Sequence, residues 1–456
     1  MQTKNSMARD LTQGRVLRQL MQLAVPTMLA NALQIVYSMV DMIVIGRFVG
    51  SAGISAVAAA SDILMFTTTF SMGICAAGQV IISQYIGKNE RESVGRTIGT
   101  MFTFILAAAI ILSAIALPCT KGLLGLINTP PEAWNMAIDY FRVSVIGLIF
   151  VFGYNAVSSM LRGMGDGKHP LIFVGIATVL NMILDVLFVG PLKMAALGAA
   201  LATVIGQGVS FIFSLFYLQK NHESFGFDFK LKSFVPDSTI FKMFIKLGIP
   251  MALQHMIVNI SSVYVASLVN SYGVVCSSLA GIGTKLRMII GAVSGSVGTA
   301  GATMTGQNFS AGNFDRVKKI YWYSLGILVV VCFAVGMIGV LFPTQVIGLF
   351  DTNPEIIPMA KKFMVINLAV FISFAFYQPG VSLLNGMGYA SFSFAIGIID
   401  GLVARIGLVF LLGKVFDLGI WGIWWGASIA GFVGATVLFI YFLTGHWKKR
   451  SAIIDK

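Results

Sequence analysis

The sequence is poor in charge. Only 11% of its 456 residues are Asp, Glu, Lys or Arg, whereas 57% are hydrophobic. Soluble domains carry roughly 25% charged residues, so this composition excludes an ordinary soluble protein and indicates a chain that lies largely in a membrane. Among the charged residues the acids are fewer, 18 against 31 basic residues. The basic residues form short clusters between apolar runs without interleaved aromatics, which argues against a nucleic-acid partner.

Cysteine and histidine are also scarce, with four of each. The cysteines show no CxxC spacing, so neither a disulfide framework nor a metal site is indicated. No HExxH or GxSxG sequence occurs, although such motifs accompany many hydrolytic sites. We therefore predict that the chain is not an enzyme and uses no cofactor.

Apolar runs long enough to cross a bilayer recur along the chain. A spanning helix needs roughly 20 apolar residues. We predict an all-α polytopic membrane protein with twelve transmembrane helices. They lie near residues 18–45, 53–82, 97–119, 134–158, 168–191, 194–218, 242–269, 276–305, 319–343, 357–384, 391–414 and 419–444. The predicted division is an N-terminal lobe over 1–218, a cytoplasmic linker over 219–241 and a C-terminal lobe with a cytoplasmic tail over 242–456.

The distribution of lysine and arginine orients these helices. Cytoplasmic loops carry an excess of both residues. With the amino terminus inside, the cytoplasmic segments hold 21 of the 31 basic residues and the outer loops hold six. One missed or extra helix would remove this asymmetry, because it would reverse the side assigned to every later loop. We predict a multi-pass protein of the cytoplasmic membrane with both termini on the cytoplasmic side.

Three segments of the first half recur in order in the second half, each about 223 or 224 residues later. Such a repeat predicts two pseudo-symmetric six-helix lobes, related by an axis along the membrane normal, with substrate bound between them. The pairs are LAVPTML at 23–29 with LGIPMAL at 247–253, GQVIISQYIGKNERE at 78–92 with GATMTGQNFSAGNFDR at 301–316, and SMLRGMGDGKHP at 159–170 with SLLNGMGYASFS at 382–393. The first pair aligns Pro26 with Pro250, where a missing backbone donor loosens each helix.

The first half carries two acids in apolar helices that the second half lacks at the matching positions, Asp41 and Asp185. Asn181 lies four residues before Asp185, on the same helix face. An amide and two carboxylates would form either a cation site of hard oxygen ligands or a proton site. The alternatives are that Asp41 is an end group at the water interface near Arg47, and that Asp185 borders the following outer loop.

These motifs point to a known family. The chain resembles the multidrug and toxic compound extrusion family, a twelve-helix group with two six-helix lobes. The resemblance covers nearly the whole chain. It rests on the opening VPTMLANALQIVYSMVDMIVIGR, the QYIGKNERE loop, the RGMGDGKHP turn and the following NMILD helix.

The resemblance to the DinF-like branch of this family implies a coupling-ion site for H⁺ or Na⁺ in the N-terminal lobe. The residues that match it are Asp41, Asn181, Asp185 and Thr203, with Tyr37 and Asn155 as neighbours. Another branch places acids in the seventh and tenth helices. Here the seventh reads QHMIVNISSVY and the body of the tenth has no acid, so a C-terminal site is not expected.

Other polar residues in apolar segments are candidates for a substrate cleft. Asp62 and Lys285 occupy matching positions of the repeat, and they face the cleft or each other, or pair separately within each lobe. Asp400 and Arg405 are five residues apart, a poor spacing for a helical pair, so separate partners are expected. The remaining candidates are Gln34, Gln254, His255, Asn259 and Met288.

The predicted function is export of organic cations or amphipathic drugs and toxins by a cation-coupled antiporter. The family resemblance supplies this substrate class. Its partners would be a small cationic or amphipathic molecule and the lipid bilayer, and one chain would function as a monomer because it contains both lobes. The alternative is a flippase for a lipid-linked oligosaccharide or precursor, which belongs to the same superfamily.

Overall fold

The computed structural model describes residues 9–222, 226–351 and 353–455. Within these ranges the chain forms helices, turns and connecting loops, and it contains no strand. The all-α prediction is confirmed. A chain with few charges and long apolar runs satisfies its backbone hydrogen bonds inside helices, which is what a bilayer requires of a spanning segment.

Twelve spans follow one another in the described part of the chain when a bent pair is taken as one, and the predicted number is confirmed. The fourth span bends by 46° at Gly147, between Pro131–Ile146 and Leu148–Gly163. The spans, numbered in chain order, are Val16–Phe48, Ser51–Gly87, Arg91–Leu126, Pro131–Gly163, Lys168–Val189, Ala195–Lys220, Ser238–Asn270, Val274–Ser310, Phe314–Leu341, Ile357–Gly386, Ala390–Val415 and Gly419–Thr444.

The sequence repeat is visible in the backbone. Gly50 and Gly273 precede the second and eighth spans with φ of 87° and 97°, and Gly165 and Gly388 are the last residues of the two GMG turns, with φ of 85° and 76°. These left-handed conformations favour glycine, since it has no Cβ. The two halves therefore use the same turns at the same points of their sequence.

Two close helix contacts also repeat. A methyl group at Gly163 would lie 2.7 Å from the carbonyl oxygen of Gln79, and one at Gly386 would lie 2.6 Å from that of Ala302. Each glycine thus lets the end of one span lie directly against the backbone of another, as small residues do in membrane proteins.

The described chain forms two compact units. One includes Val25–Ala252, and the other consists of Leu11–Ala24 and Leu253–Lys456. Each predicted lobe is one continuous half of the chain. Each observed unit, in contrast, also contains the beginning of a span that belongs to the other half. The division points lie next to Pro26 and Pro250, which occur inside the first and seventh helices.

Specific contacts hold the segment Leu11–Ala24 in the second unit and the segment 238–252 in the first unit. In the second unit, Leu20 and Leu23 pack in a core with Ile290 and Val297. Arg316 donates hydrogen bonds to the carbonyls of Leu11, Gln13 and Gly14 at 2.8 to 3.2 Å. In the first unit, Gly73 and Gly248 make the matching close approaches to Ala252 and Ile74.

The eleventh span departs from a regular α-helix. Two π-helical stretches, Ile399–Ala404 and Leu411–Val415, interrupt it. Arg405 Nη2 lies 3.2 Å from Asp400 Oδ2, so the expectation of separate partners for these residues is wrong. In a π-helical turn the backbone hydrogen bonds join residues five apart instead of four. Side chains five residues apart therefore lie on one face of the helix, which they do not in an α-helix.

Candidate functional site

Two buried carboxylates define the candidate site in the first unit. Asp41 is 6% exposed and Asp185 is fully buried. They come from the first and fifth spans, and Tyr37 and Asn181, each four residues before one of the acids, line the same small cavity. A buried carboxylate costs several kcal/mol unless it is paired, protonated or bound to a cation. Neither acid is a solvated end group in the structure.

Asn181 connects Asp185 to the sixth span. Its amide is satisfied when the nitrogen donates to Asp185 Oδ2 and the oxygen accepts from Thr203 Oγ1, each at 3.3 Å. Gly206 makes this approach possible, since a methyl group there would lie 3.0 Å from the carbonyl oxygen of Ala177 and 3.3 Å from Cβ of Asn181. The fifth and sixth spans therefore meet closely at the polar residues.

A small cavity lies beside this cluster. Its volume is about 10 Å³, close to what one buried water requires. Tyr37, Asn181 and Thr203 line it, together with Thr178 and Gln207. Polar side chains from the first, fifth and sixth spans thus surround a space of atomic size.

Several polar atoms at the site lack a protein partner. Oδ1 of Asp41, Oδ1 of Asp185 and Oγ1 of Thr178 are buried without a hydrogen bond to any described residue. Buried polar atoms are nearly always paired with protein, water or an ion. The donor set of carboxylate, amide and hydroxyl oxygens suits a hard monovalent cation, and the two carboxylates suit a proton equally well.

Two buried tyrosines of the fourth span, Tyr140 and Tyr154, were not among the predicted site residues. Tyr140 is 6% exposed and lies on the fourth span. Tyr154 donates to the carbonyl of Pro170 at 3.2 Å. Tyr154 matches Tyr377 of the second half, so the repeat carried a signal for it. Tyr140 matches a phenylalanine, and nothing in the sequence distinguished it.

The other predicted site residues are more dispersed. Asn155 lies half-buried on the fourth span and does not line the small cavity. Asp62 and Lys285 are both exposed within their own units, and neither forms a hydrogen bond or an ion pair with a described residue. The remaining cleft candidates divide into His255 and Met288, which are exposed, and Gln34 and Asn259, which are half-buried.

Gln254 belongs to a buried network in the second unit. Its amide nitrogen donates to the Tyr377 hydroxyl at 3.1 Å, and its amide oxygen accepts from Ser393 at 3.0 Å. These bonds link the seventh, tenth and eleventh spans. Gln254 thus already has partners for both ends of its amide within the protein.

Comparisons with known proteins agree with this architecture. The sequence model of the MatE family matches residues 26–187 and again residues 250–411. The second match begins 224 residues after the first, which confirms the internal repeat.

Relatives cover nearly the whole chain. The probable multidrug resistance protein YpnP of Bacillus subtilis is 32% identical, with 98% of this chain and all of YpnP covered. The probable multidrug resistance protein NorM of Thermotoga maritima is 25% identical over 96% of this chain and 94% of NorM. A MOP superfamily transporter from Pyrococcus furiosus has the same fold, with a TM-score of 0.90 at 22% identity over 99% of this chain and 100% of that chain. The chain therefore belongs to the MatE family, and it is a membrane transporter rather than an enzyme.

Proposed function

We propose that this chain exports cationic or amphipathic small molecules across the cytoplasmic membrane in exchange for an inward-moving H⁺ or Na⁺. Support for drug efflux comes from the relatives that are named multidrug resistance proteins. The distribution of basic residues supports cytoplasmic termini. Since the repeat supplies two lobes, one chain is sufficient for transport.

The observation that carries the coupling is the pair of buried carboxylates with unpartnered oxygens, Asp41 and Asp185. Together with the Asn181 and Thr203 oxygens, they would hold the coupling ion. A bound Na⁺ would accept lone pairs from all four side chains. A proton would instead neutralise one carboxylate and let it donate a hydrogen bond to the other.

The first span would convert ion binding into motion. It carries both Asp41 and Pro26, and it passes from one compact unit into the other beside Pro26. Proline removes an intrahelical hydrogen bond, which makes bending inexpensive at that point. Ion binding at Asp41 would therefore change the packing of the Val25–Phe48 part against the fifth span and bend the helix near Pro26.

Coupling requires that the two conformations differ in affinity. A ligand that binds both states equally shifts nothing. We infer that the outward-open state favours the ion and the inward-open state favours the substrate. Exchange then follows, because ion binding releases substrate outside and ion release restores the substrate site inside.

The direct test is dye transport by purified protein in proteoliposomes. A fluorescent organic cation would be loaded, and a pH gradient or a Na⁺ gradient would be imposed separately. Transport that follows one gradient and stops in Asp41→Asn would support antiport and name the ion. Asp139→Asn, which changes an exposed acid of the fourth span, is the matched control and should transport like wild type. Dye movement that is independent of both gradients would contradict it.

A further inference from the structure

A cluster of three polar side chains joins the beginning of the fifth span to the end of the sixth. Asp166 Oδ1 accepts hydrogen bonds from the backbone nitrogens of Lys168 and His169 at 3.0 and 3.2 Å, so it caps the fifth span. Asp166 Oδ2 is hydrogen-bonded to Nδ1 of His169. That Nδ1 lies 3.0 Å from the hydroxyl of Tyr217 on the sixth span, and the two rings stack with their centroids 4.2 Å apart. We call Asp166, His169 and Tyr217 the junction.

Contacts between the fifth and sixth spans continue from the junction to the candidate ion site. Every fourth residue of the fifth span takes part from position 169 to position 181. The contacting pairs are His169 with Tyr217, Phe173 with Ser210, Ala177 with Gly206 and Asn181 with Thr203. At 1.5 Å per residue, this interface extends about 18 Å along the helix. The junction lies at one end of the interface, and the candidate ion ligands lie at the other.

The second half of the chain builds the same contact without a histidine. Tyr389, Phe392 and Tyr441 occupy the positions that match the three residues of the junction. The Phe392 ring stacks on Tyr389 with centroids 5.4 Å apart, and it packs on Tyr441 at 5.1 Å. Aromatic packing is therefore enough to join the two helices at this point. The first half adds a group whose charge depends on pH.

The charge of His169 can respond to the solvent. Its side chain is 30% exposed and that of Asp166 is 14% exposed, on the side that the basic residues predict to be cytoplasmic. Histidine gains or loses a proton between about pH 5 and pH 8. A protonated His169 forms an ion pair with Asp166, and charge-assisted hydrogen bonds are roughly twice as strong as neutral ones. The junction should therefore weaken as the pH rises.

The neighbouring charged groups leave this pair intact. From the fourth span, Arg162 donates to neutral side chains, and Tyr154 donates to the carbonyl of Pro170 at 3.2 Å. The titratable residues next to the junction along the chain or beside the adjoining turn are exposed, and they are Arg9, Asp10, Lys168, Lys220 and His222. Among the described residues, the carboxylate that pairs with His169 is that of Asp166.

We propose that His169 is a pH-dependent positioning residue for the ion site. Its protonation tightens the interface between the fifth and sixth spans, and its deprotonation loosens the interface that holds Asn181 against Thr203. Packed side chains along one helix pair can carry such a bias from end to end. The inference rests on the proposed function and deepens it, because it adds control by cytoplasmic pH at a place that binds neither substrate nor coupling ion.

Hydrogen exchange measured by mass spectrometry on the purified full-length protein tests the interface without an ion gradient or a substrate. The measured quantity is the protection of residues 168–176 and 212–220, corrected for intrinsic exchange, at about pH 5.5 and about pH 8. We expect wild-type protection to be about three- to tenfold lower at the higher pH, because one charged hydrogen bond becomes neutral. His169→Phe should show equal protection at both pH values, and it should fold because Phe392 occupies the matching position.

Four further variants identify the group that titrates. His169→Lys keeps a positive charge and should be protected at both pH values. Asp166→Asn retains a residue that caps helices but removes the charge, so the pH dependence should disappear. His222→Gln changes an exposed histidine outside the junction and should behave like wild type. Asp185→Asn removes a carboxylate of the candidate ion site and should also keep the wild-type pH dependence.

A wild-type pH dependence that persists in His169→Phe, or that disappears in Asp185→Asn, would overturn this inference. Dye export supplies the second readout. Under the same imposed gradient, the ratio of export rates at the two values of cytoplasmic pH should lie closer to one in His169→Phe than in wild type, and equal ratios would contradict the link to transport. Wild-type protein that exports no dye under either gradient would contradict the antiport proposal alone, because the exchange measurement does not depend on it.

Discussion

Asn181 and Thr203 come from consecutive spans, and their side chains meet at 3.3 Å. This contact fixes the amide of Asn181 so that its nitrogen faces Asp185. An ion ligand whose orientation is fixed by a neighbouring hydrogen bond loses less entropy on binding than a free one. The Thr203 hydroxyl therefore fixes the orientation of the Asn181 amide, whether or not its own oxygen contacts the ion.

Removal of that hydroxyl should weaken ion coupling without unfolding the protein. Thr203→Val keeps the shape of the side chain and removes one hydrogen bond, which contributes roughly 0.5–1.5 kcal/mol. We expect the ion concentration for half-maximal dye transport to rise about three- to tenfold. Thr203→Ser retains the hydroxyl and is the matched control. An unchanged ion dependence in Thr203→Val would show that the contact has no role in coupling.

The proline of the first span should matter for transport more than for folding. Pro26→Ala restores the backbone donor of an interior helix position, which favours a straight helix. We expect a large loss of transport rate with unchanged dye binding, measured in proteoliposomes and in detergent. Pro250→Ala changes the matching position of the seventh span and tests whether both prolines are needed. Full transport by Pro26→Ala would exclude bending at this point as the coupling step.

The repeated glycine contacts predict stability changes. Gly386→Ala would place a methyl group 2.6 Å from a backbone oxygen, and relieving such a clash typically costs about 1–3 kcal/mol. The apparent unfolding temperature should therefore fall. Gly326→Ala, on the ninth span, introduces a methyl group with no atom within 4 Å and should be neutral or stabilising, since alanine is the better helix former. Equal unfolding temperatures for the two variants would contradict the observed packing.

The linker should not contribute to the pH dependence of transport. Hydrogen bonds from Ser233 and from the Lys230 backbone and side chain lower the pKa of Asp228 from 3.8 to about 2. A lowered folded-state pKa means that the contribution of this carboxylate is complete above its ordinary pKa and is lost as the pH falls through about 2. Asp228 stays ionised at any physiological pH. The pH profile of transport by Asp228→Asn should match that of wild type, and a displaced profile would mean that the linker senses pH.

The architecture was largely predictable because hydropathy and the repeat are both strong signals. Each predicted span overlaps an observed one, and the twelve crossings follow from the length of apolar segment that a bilayer needs. The pairing of Asn181 with Asp185 was also predictable, because residues four apart share a helix face. The assignment to the DinF-like branch and the exact lobe boundaries remain predictions.

Two features could not be predicted from the sequence, because they depend on local backbone geometry or on tertiary packing. The Asp400–Arg405 pair exists because the eleventh span widens into a π-helical turn, and no residue pattern marks that turn. The grouping of Leu11–Ala24 with the second unit depends on the buried contacts of Leu20 and on Arg316. Those partners lie about 300 residues away along the chain, so local sequence does not reveal them.

In the proposed mechanism, substrate and coupling ion exclude each other through Asp41 and Asp185. It is tested most directly by the dissociation constant of a cationic dye for purified protein, measured in detergent across a range of pH and, separately, of Na⁺ concentration. We expect the wild-type affinity for the dye to weaken as the coupling ion saturates its site, and we expect Asp185→Asn to bind the dye without this dependence. A wild-type affinity independent of both ions, or an Asp185→Asn variant that retains the full dependence, would contradict it.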